Sequence, residues 1–193
     1  PGTLTISTVT TAVTLTSSLN PSTFGQSVTF TATLPAGATG TVNFQDSGVS
    51  ITGCSAARVS GSPPSATCTS STLTVGTHPV TAVYSGDTNF TGGNSNRVDQ
   101  VVNKATPGTG GIAAITLTSS LNPSNAAQAV TFTATAPPGA TGSIEFRDGS
   151  TPIAGCGAVT LSGTTATCTT SALTVGTHPI TAVYSGDANF NGS

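Results

Sequence analysis

Two stretches of the chain carry the residue types of an active site. Residues 76–87 read GTHPVTAVYSGD and residues 176–187 read GTHPITAVYSGD, differing only at Val80 and Ile180. Each places a His, a Tyr, a Ser and an Asp within twelve residues. A nucleophile, a general base and an orienting acid are drawn from such a set. Glycoside hydrolysis would instead need two facing carboxylates. The acids common to both copies are Asp46 with Asp148 and Asp87 with Asp187, and all four fall at turn signals such as QDSG and YSGD. No distinctive catalytic loop accompanies them, so no catalytic, cofactor-binding or metal residue is assigned.

Scaffold roles account for these residues more simply. His78 and His178 follow Leu-x-x-Gly-x and precede a proline, which holds their backbone extended. In immunoglobulin folds a Tyr near this corner bonds back to backbone a few residues upstream, and an imidazole can make a similar bond. Tyr84 and Tyr184 share a strand face with apolar neighbours and read as core. Asp87 and Asp187 in Ser-Gly-Asp suit a turn, where the carboxylate bonds nearby backbone. Calcium is the sharper alternative, but it takes six to eight oxygens and each loop brings one carboxylate. Phe90 and Phe190, just beyond, are expected to close one end of the core.

Composition narrows the class. Of 193 residues only 5% are charged, against roughly 25% in an average soluble protein. The net charge is −2, and Met and Trp are absent. The surface must therefore be built from Thr, Ser, Gly and Asn. The basic residues Arg58, Arg97, Lys104 and Arg147 are scattered, which gives no electrostatic footprint for nucleic acid. No apolar run approaches the roughly 20 residues of a membrane-spanning helix. A chain that begins at Pro1 without a signal segment is what a mature secreted portion would look like.

Cysteines fall two to each half: Cys54 and Cys68, then Cys156 and Cys168. Four cysteines allow three pairings, and the even division favours one local disulfide in each half over free thiols or a metal site. There is no Cys-x-x-Cys spacing to suggest zinc. Disulfides imply an oxidising, extracytoplasmic compartment.

The chain is one unit written twice. TLTSSLNPS begins at Thr14 and again at Thr116, an offset of 102 residues, which shortens to 100 by Cys68 and Cys168. The loss of two residues inside the second unit's proposed disulfide loop marks a surface turn. Within each unit the hydrophobic period is two. Val28, Phe30, Ala32 and Leu34 share one face, as do Val42 with Phe44, and Val80 with Ala82 and Tyr84, while Thr fills the outward positions. β-branched Thr suits a pleated, half-exposed surface. About seven short strands per 100 residues, separated by Gly/Pro turns, predict an all-β fold of two tandem immunoglobulin-like sandwiches. The expected boundaries are an N-terminal extension at 1–7, a first domain at 8–102, a Pro/Gly/Thr linker at 103–113 and a second domain at 114–193.

The string NPS-x-x-x-Q-x-V-T-F-T-A-T, followed by G-T-H-x-[VI]-T-A-V-Y-S-G-D-x-N-F, resembles the bacterial Ig-like repeat modules of the group-3 type, over nearly the whole of both units. The resemblance implies tandem, non-enzymatic modules of secreted and surface bacterial proteins, adhesins and stalks. The cysteine pair departs from many members of that family.

The two ends differ. Phe90 is followed by TGGNSNRVDQVV, which supplies a last strand, whereas Phe190 is followed by NGS. The second sandwich is thus expected to lack its own last strand, and an open edge is a template for pairing with another chain. Thr3, Leu4, Thr5, Ile6 and Ser7 alternate like a strand that a neighbouring copy could accept, and such head-to-tail contacts generate filaments. Equally, these residues could be a slice of a longer tandem array, with the strand just beyond Ser193 in the same chain. Either arrangement gives a structural module of an extracellular filament or surface stalk, whose partners are copies of itself or neighbouring Ig-like repeats. The alternative is an adhesin or carbohydrate-binding module using loop tips, disfavoured by scarce aromatics that are patterned inward. Asn89 and Asn191 stand in N-glycosylation sequons, a weak signal in so Thr- and Ser-rich a chain.

Overall fold

A computed structural model of the protein describes residues 2–193. The chain divides into two compact units, Pro1–Asn103 and Lys104–Ser193. The strands of the first unit are β1 (Thr14–Ser17), β2 (Ser22–Thr23), β3 (Val28–Thr33), β4 (Thr41–Asp46), β5 (Val49–Ser50), β6 (Ala57–Arg58), β7 (Ser65–Ser70), β8 (Gly76–Tyr84), β9 (Gly93–Asn94) and β10 (Val98–Asn103). One sheet has the order β1-β3-β7. The other runs β2-β10-β8-β4-β5, with β6 and β9 attached to β4 and β8. Among the described residues no helix is long and apolar enough to cross a membrane.

The period of two is what places the core. Val28, Phe30 and Ala32 of β3 are buried, and the threonines between them are half-exposed. The facing sheet contributes Val42 and Phe44 of β4 and Val80, Ala82 and Tyr84 of β8, all buried. Outward threonines pair across strands: Thr29 on β3 faces Thr69 on β7, with their hydroxyls 2.9 Å apart. Such polar cross-strand pairs stabilise a sheet by some tenths of a kcal/mol each. In this way a surface poor in ions keeps local order.

The second unit repeats the plan with β11 (Thr116–Ser119), β12 (Val130–Thr135), β13 (Ser143–Asp148), β14 (Thr151–Pro152), β15 (Val159–Thr160), β16 (Thr165–Thr170) and β17 (Ile180–Tyr184). Its sheets are β11-β12-β16, and β14-β13-β15 with β17 also on β13. Cys54 bonds Cys68, and Cys156 bonds Cys168, as the even division of cysteines predicts. In each unit one half-cystine lies in the loop after the short strand β5 or β14, and the other lies on β7 or β16 of the opposite sheet. The bond therefore ties the two sheets together. Closing loops with sequence separations of 14 and 12 stabilises each domain by roughly 3 kcal/mol in the chain-entropy model.

Two segments take on detail that residue order does not supply. The linker expected at 103–113 is partly folded into the domains on either side of it. Asn103 is the last residue of β10, and the buried Ala105 pairs with Phe190, exchanging backbone bonds with Asn189 and Asn191. Val9 does the same for Phe90 in the first unit, so Ala105 fills the place of Val9. At the N-terminus, Thr3, Leu4, Thr5, Ile6 and Ser7 form no strand. Leu4 and Ile6 are 85% and 87% exposed. A strand needs a ladder partner, and within a single chain this segment has none.

Each unit holds one non-glycine residue in the left-handed region where the other has glycine: Ser47 (φ 51°) opposite Gly149 (φ 58°) in the first, and Ala127 in the second. Gly25 takes a φ of 82°, and its counterpart Ala127 is held at 62°, a left-handed conformation that costs an L-residue roughly 1–2 kcal/mol. Ala127→Gly should therefore stabilise the second domain by about 1 kcal/mol, net of the added freedom of the unfolded chain. Chemical denaturation followed by hydrogen exchange in residues 104–193 would register the gain, and a loss of stability would contradict the strain.

Candidate functional site

The repeated stretch resolves into two polar clusters, neither arranged for catalysis. His78 lies on β8, opposite the end of β4. Its Nδ1 is 2.6 Å from Asp46 Oδ2 and its Nε2 is 2.8 Å from the Thr74 carbonyl. The second copy matches, with His178 2.6 Å from Asp148 Oδ2 and 2.9 Å from the Thr174 carbonyl. The bond to backbone four residues upstream is the corner role expected of these histidines. Both ring nitrogens face acceptors, so the imidazolium, which donates from both, fits the site best. Burial works against the charge on His78, but Thr74 and Asp46 outweigh it and its pKa is raised. For His178 the Thr174 carbonyl and then Asp148 raise the pKa. No ring nitrogen is left to serve as a base. The partnership with Asp46 and Asp148 escapes sequence reading because residues 32 and 30 apart meet only through the β4–β8 and β13–β17 registers.

Asp87 organises the opposite end of the first domain. Its Oδ2 accepts from the Thr39 amide at 2.7 Å, the Thr39 hydroxyl at 2.9 Å and the Tyr84 hydroxyl at 3.0 Å. Its Oδ1 accepts from the Asn89 and Phe90 amides, both at 2.8 Å. Asp187 repeats this with Thr141, Tyr184, Asn189 and Phe190. The Thr39 amide leads in holding Asp87 well below the usual carboxylate range. For Asp187 partial burial opposes ionisation, but the amides of Thr141, Asn189 and Phe190 prevail and lower it to about 2. Tyr84 and Tyr184 are correspondingly raised, by burial first and then by the neighbouring carboxylate. A carboxylate this committed to N–H and O–H donors is a turn clamp. Among the described residues no three His, Cys, Asp or Glu side chains converge on a metal-sized site.

The functional difference between the domains lies along β8 and β17. In the first domain β10 pairs antiparallel with β8, from Val98 opposite Val80 to Val102 opposite Gly76, and parallel with β2. Its inward residues are Val98, Gln100 and Val102, and Gln100 is 0% exposed. The Gln100 amide donates to the Leu19 carbonyl at 2.9 Å and to the Ser22 hydroxyl at 3.2 Å, and its oxygen accepts from the Ser17 hydroxyl at 2.6 Å. Asn20 grips the strand's backbone, donating to the Asp99 carbonyl at 2.8 Å and accepting from the Val101 amide at 2.9 Å. Sequence reading identifies this strand but not its buried Gln. The signal was there: a polar residue two positions from each of two inward valines.

Residues 104–193 hold no counterpart of β10. The two domains correspond as far as Ser193, which exchanges backbone bonds with Tyr184 much as Gly93 pairs with Tyr84. Beyond it lies a groove of about 710 Å³, lined by Leu117, Ser119, Asn122, Ser124, Val175 and Ile180 among others. Leu15, Ser22 and Val80 are buried under β10, whereas Leu117 and Ile180 are only half-buried and Ser124 is exposed. Without a ladder partner, β17 starts at Ile180, although β8 starts at Gly76 with the same local sequence. The Cys54, Cys68, Cys156 and Cys168 sulfurs lie in buried bridges away from this groove. Asn89 and Asn191 are exposed beside Phe90 and Phe190, and the Asn191 amide donates to the Thr106 hydroxyl.

The two clusters give opposite pH dependences. A raised histidine pKa contributes stability that is fully present below the ordinary 6.5 and is lost as pH rises through the folded value. The denaturation midpoint should therefore fall as pH rises above the ordinary 6.5, and the fall should flatten in the His78→Gln, His178→Gln double variant. The lowered carboxylates act the other way, contributing stability above the ordinary 3.8 and losing it as pH falls toward about 2 for Asp187. Asp187→Ala, which strands three amides, should cost the second domain about 2 kcal/mol, read from the same denaturation curves.

The description "Bacterial Ig-like domain (group 3)" matches the chain twice, over residues 13–103 and 117–193. No curated protein matches it. The two matched segments coincide with the two sandwiches, which share the three-stranded sheet, the corner and the turn clamp. The chain belongs to the bacterial Ig-like domain (group 3) family and carries two copies in tandem.

Proposed function

We propose that the protein is a non-enzymatic structural module of an extracellular bacterial filament or surface stalk, in which the second domain is completed by a strand from outside residues 104–193. The groove along β17 carries this reading: the same position is filled by β10 in the first domain. An exposed strand edge over a groove of mixed apolar and polar side chains is a site for strand addition. Two arrangements supply the strand. A neighbouring copy offers Thr3–Ser7, with Leu4 and Ile6 alternating and exposed, and a head-to-tail contact of that kind propagates without closing. Alternatively, in a longer tandem array the strand comes from later in the same chain. Disulfides in both domains suit the oxidising space outside the cytoplasm. A carbohydrate-binding role gains no support, because every Phe and Tyr ring is buried or half-buried and no aromatic platform faces solvent.

Electron microscopy and size-exclusion chromatography test the arrangement. Donation by residues 3–7 predicts chains of subunits that become monomers on deletion of residues 1–7 or on Ile6→Asp. Polymers that survive both changes would rule out that donor. A full chain that stays monomeric at high concentration, yet gains stability when a further repeat is fused after Ser193, would point to the tandem array.

A further inference from the structure

The reading that a strand completes the second domain leaves open which strand, and the groove's own chemistry answers this. In the first domain the floor under β10 is not uniformly apolar. It holds a polar socket made by the Ser17 hydroxyl, the Leu19 carbonyl and the Ser22 hydroxyl, filled by the Gln100 amide. Beside it Asn20 bonds one carbonyl and one amide of the incoming backbone. The second domain keeps every one of these groups at the equivalent position: Ser119, Leu121, Asn122 and Ser124. There the Ser119 hydroxyl donates to the Leu121 carbonyl at 2.8 Å, the carbonyl that corresponds to the one Gln100 occupies. All four residues line the groove. On the facing side, His178 and Gly176 take the positions that pair with Gln100 and Val102 in the first domain.

We infer that the groove is a selective receptor for a strand of the β10 type, reading Val-x-Gln-x-Val on its inward face, in which the Gln amide enters the Ser119–Leu121–Ser124 socket and Asn122 clasps the backbone beside it. This rests on the strand-completion reading above and specifies the strand. The segment Thr3–Ser7 does not meet the requirement. Its inward residues would be Leu4 and Ile6, and an aliphatic side chain over the socket would bury two hydroxyls and a carbonyl against carbon, which is costly.

The test uses the intact chain and two synthetic peptides, residues 94–106 and residues 2–9, each carrying a fluorophore for anisotropy. The 94–106 peptide should bind, and hydrogen exchange should show new protection at residues 176–180 as β17 extends to the length of β8. A peptide with Gln100→Leu should bind at least about tenfold more weakly. Asn122→Ala and Ser124→Ala in the chain should weaken the parent peptide without altering exchange in residues 1–103. Equal binding of the parent and Leu peptides would overturn the socket while leaving strand completion intact. Tighter binding of the 2–9 peptide would do the same and identify residues 3–7 as the donor. If neither peptide binds or protects residues 176–180, both the receptor and the completion reading are lost.

Discussion

A sandwich with almost no ions depends on its backbone ladders. Each N–H and C=O brought out of water must find a partner, and in this chain charged side chains are too few to substitute. The pairing of β10 with β8 is the rung set on which the rest of the first domain leans. It buries Leu15, Ser22 and Val80, and it draws β8 out to nine residues. Take the same sequence without that partner, as in β17, and the strand retreats to five residues while its floor opens. The alternation along β3 and β4 recurs in β12 and β13, and both domains keep the disulfide between their sheets. The contrast along β8 and β17 therefore follows the ladder rather than these shared features.

The polar residues that first suggest chemistry serve the same end. Asp87 and Asp187 supply acceptors to amides that no strand could reach. His78 and His178 carry one carboxylate and one carbonyl across a corner where the strand ladder has stopped. Each cluster satisfies backbone at a place where sheet geometry runs out, at opposite ends of the strand that contains the repeated motif. Duplication of the motif thus follows duplication of the domain.

Much of this was legible from residue order. Alternation placed Phe30, Phe44 and Tyr84 in the core, and the division of four cysteines two to each half suggested the Cys54–Cys68 and Cys156–Cys168 bonds. Other features needed three dimensions. β2, β5, β6 and β9 are two residues each, too short to show any period. Ala105 sits in a Pro/Gly/Thr-rich stretch that reads as a connector, yet pairing with Phe190 buries it. Thr3–Ser7 has a strand's alternation and, within one chain, no ladder to join. Gln100 was the most informative omission: hydrophobic patterning discounts a polar residue, and only the socket around it explains why the strand carries one.

The direction of the terminal strands has a mechanical consequence. β2 and β10 lie parallel, with Val102 beside Ser22 and Asn103 beside Thr23, and Val13 likewise runs parallel to Ser95. Parallel first and last segments send the two ends of a domain out at opposite poles. A pull on those ends slides the segments along each other, so the rungs between them are sheared together. Antiparallel neighbours pulled from one end would instead peel apart one rung at a time. The strand that completes such a domain is therefore the one that bears the extension first.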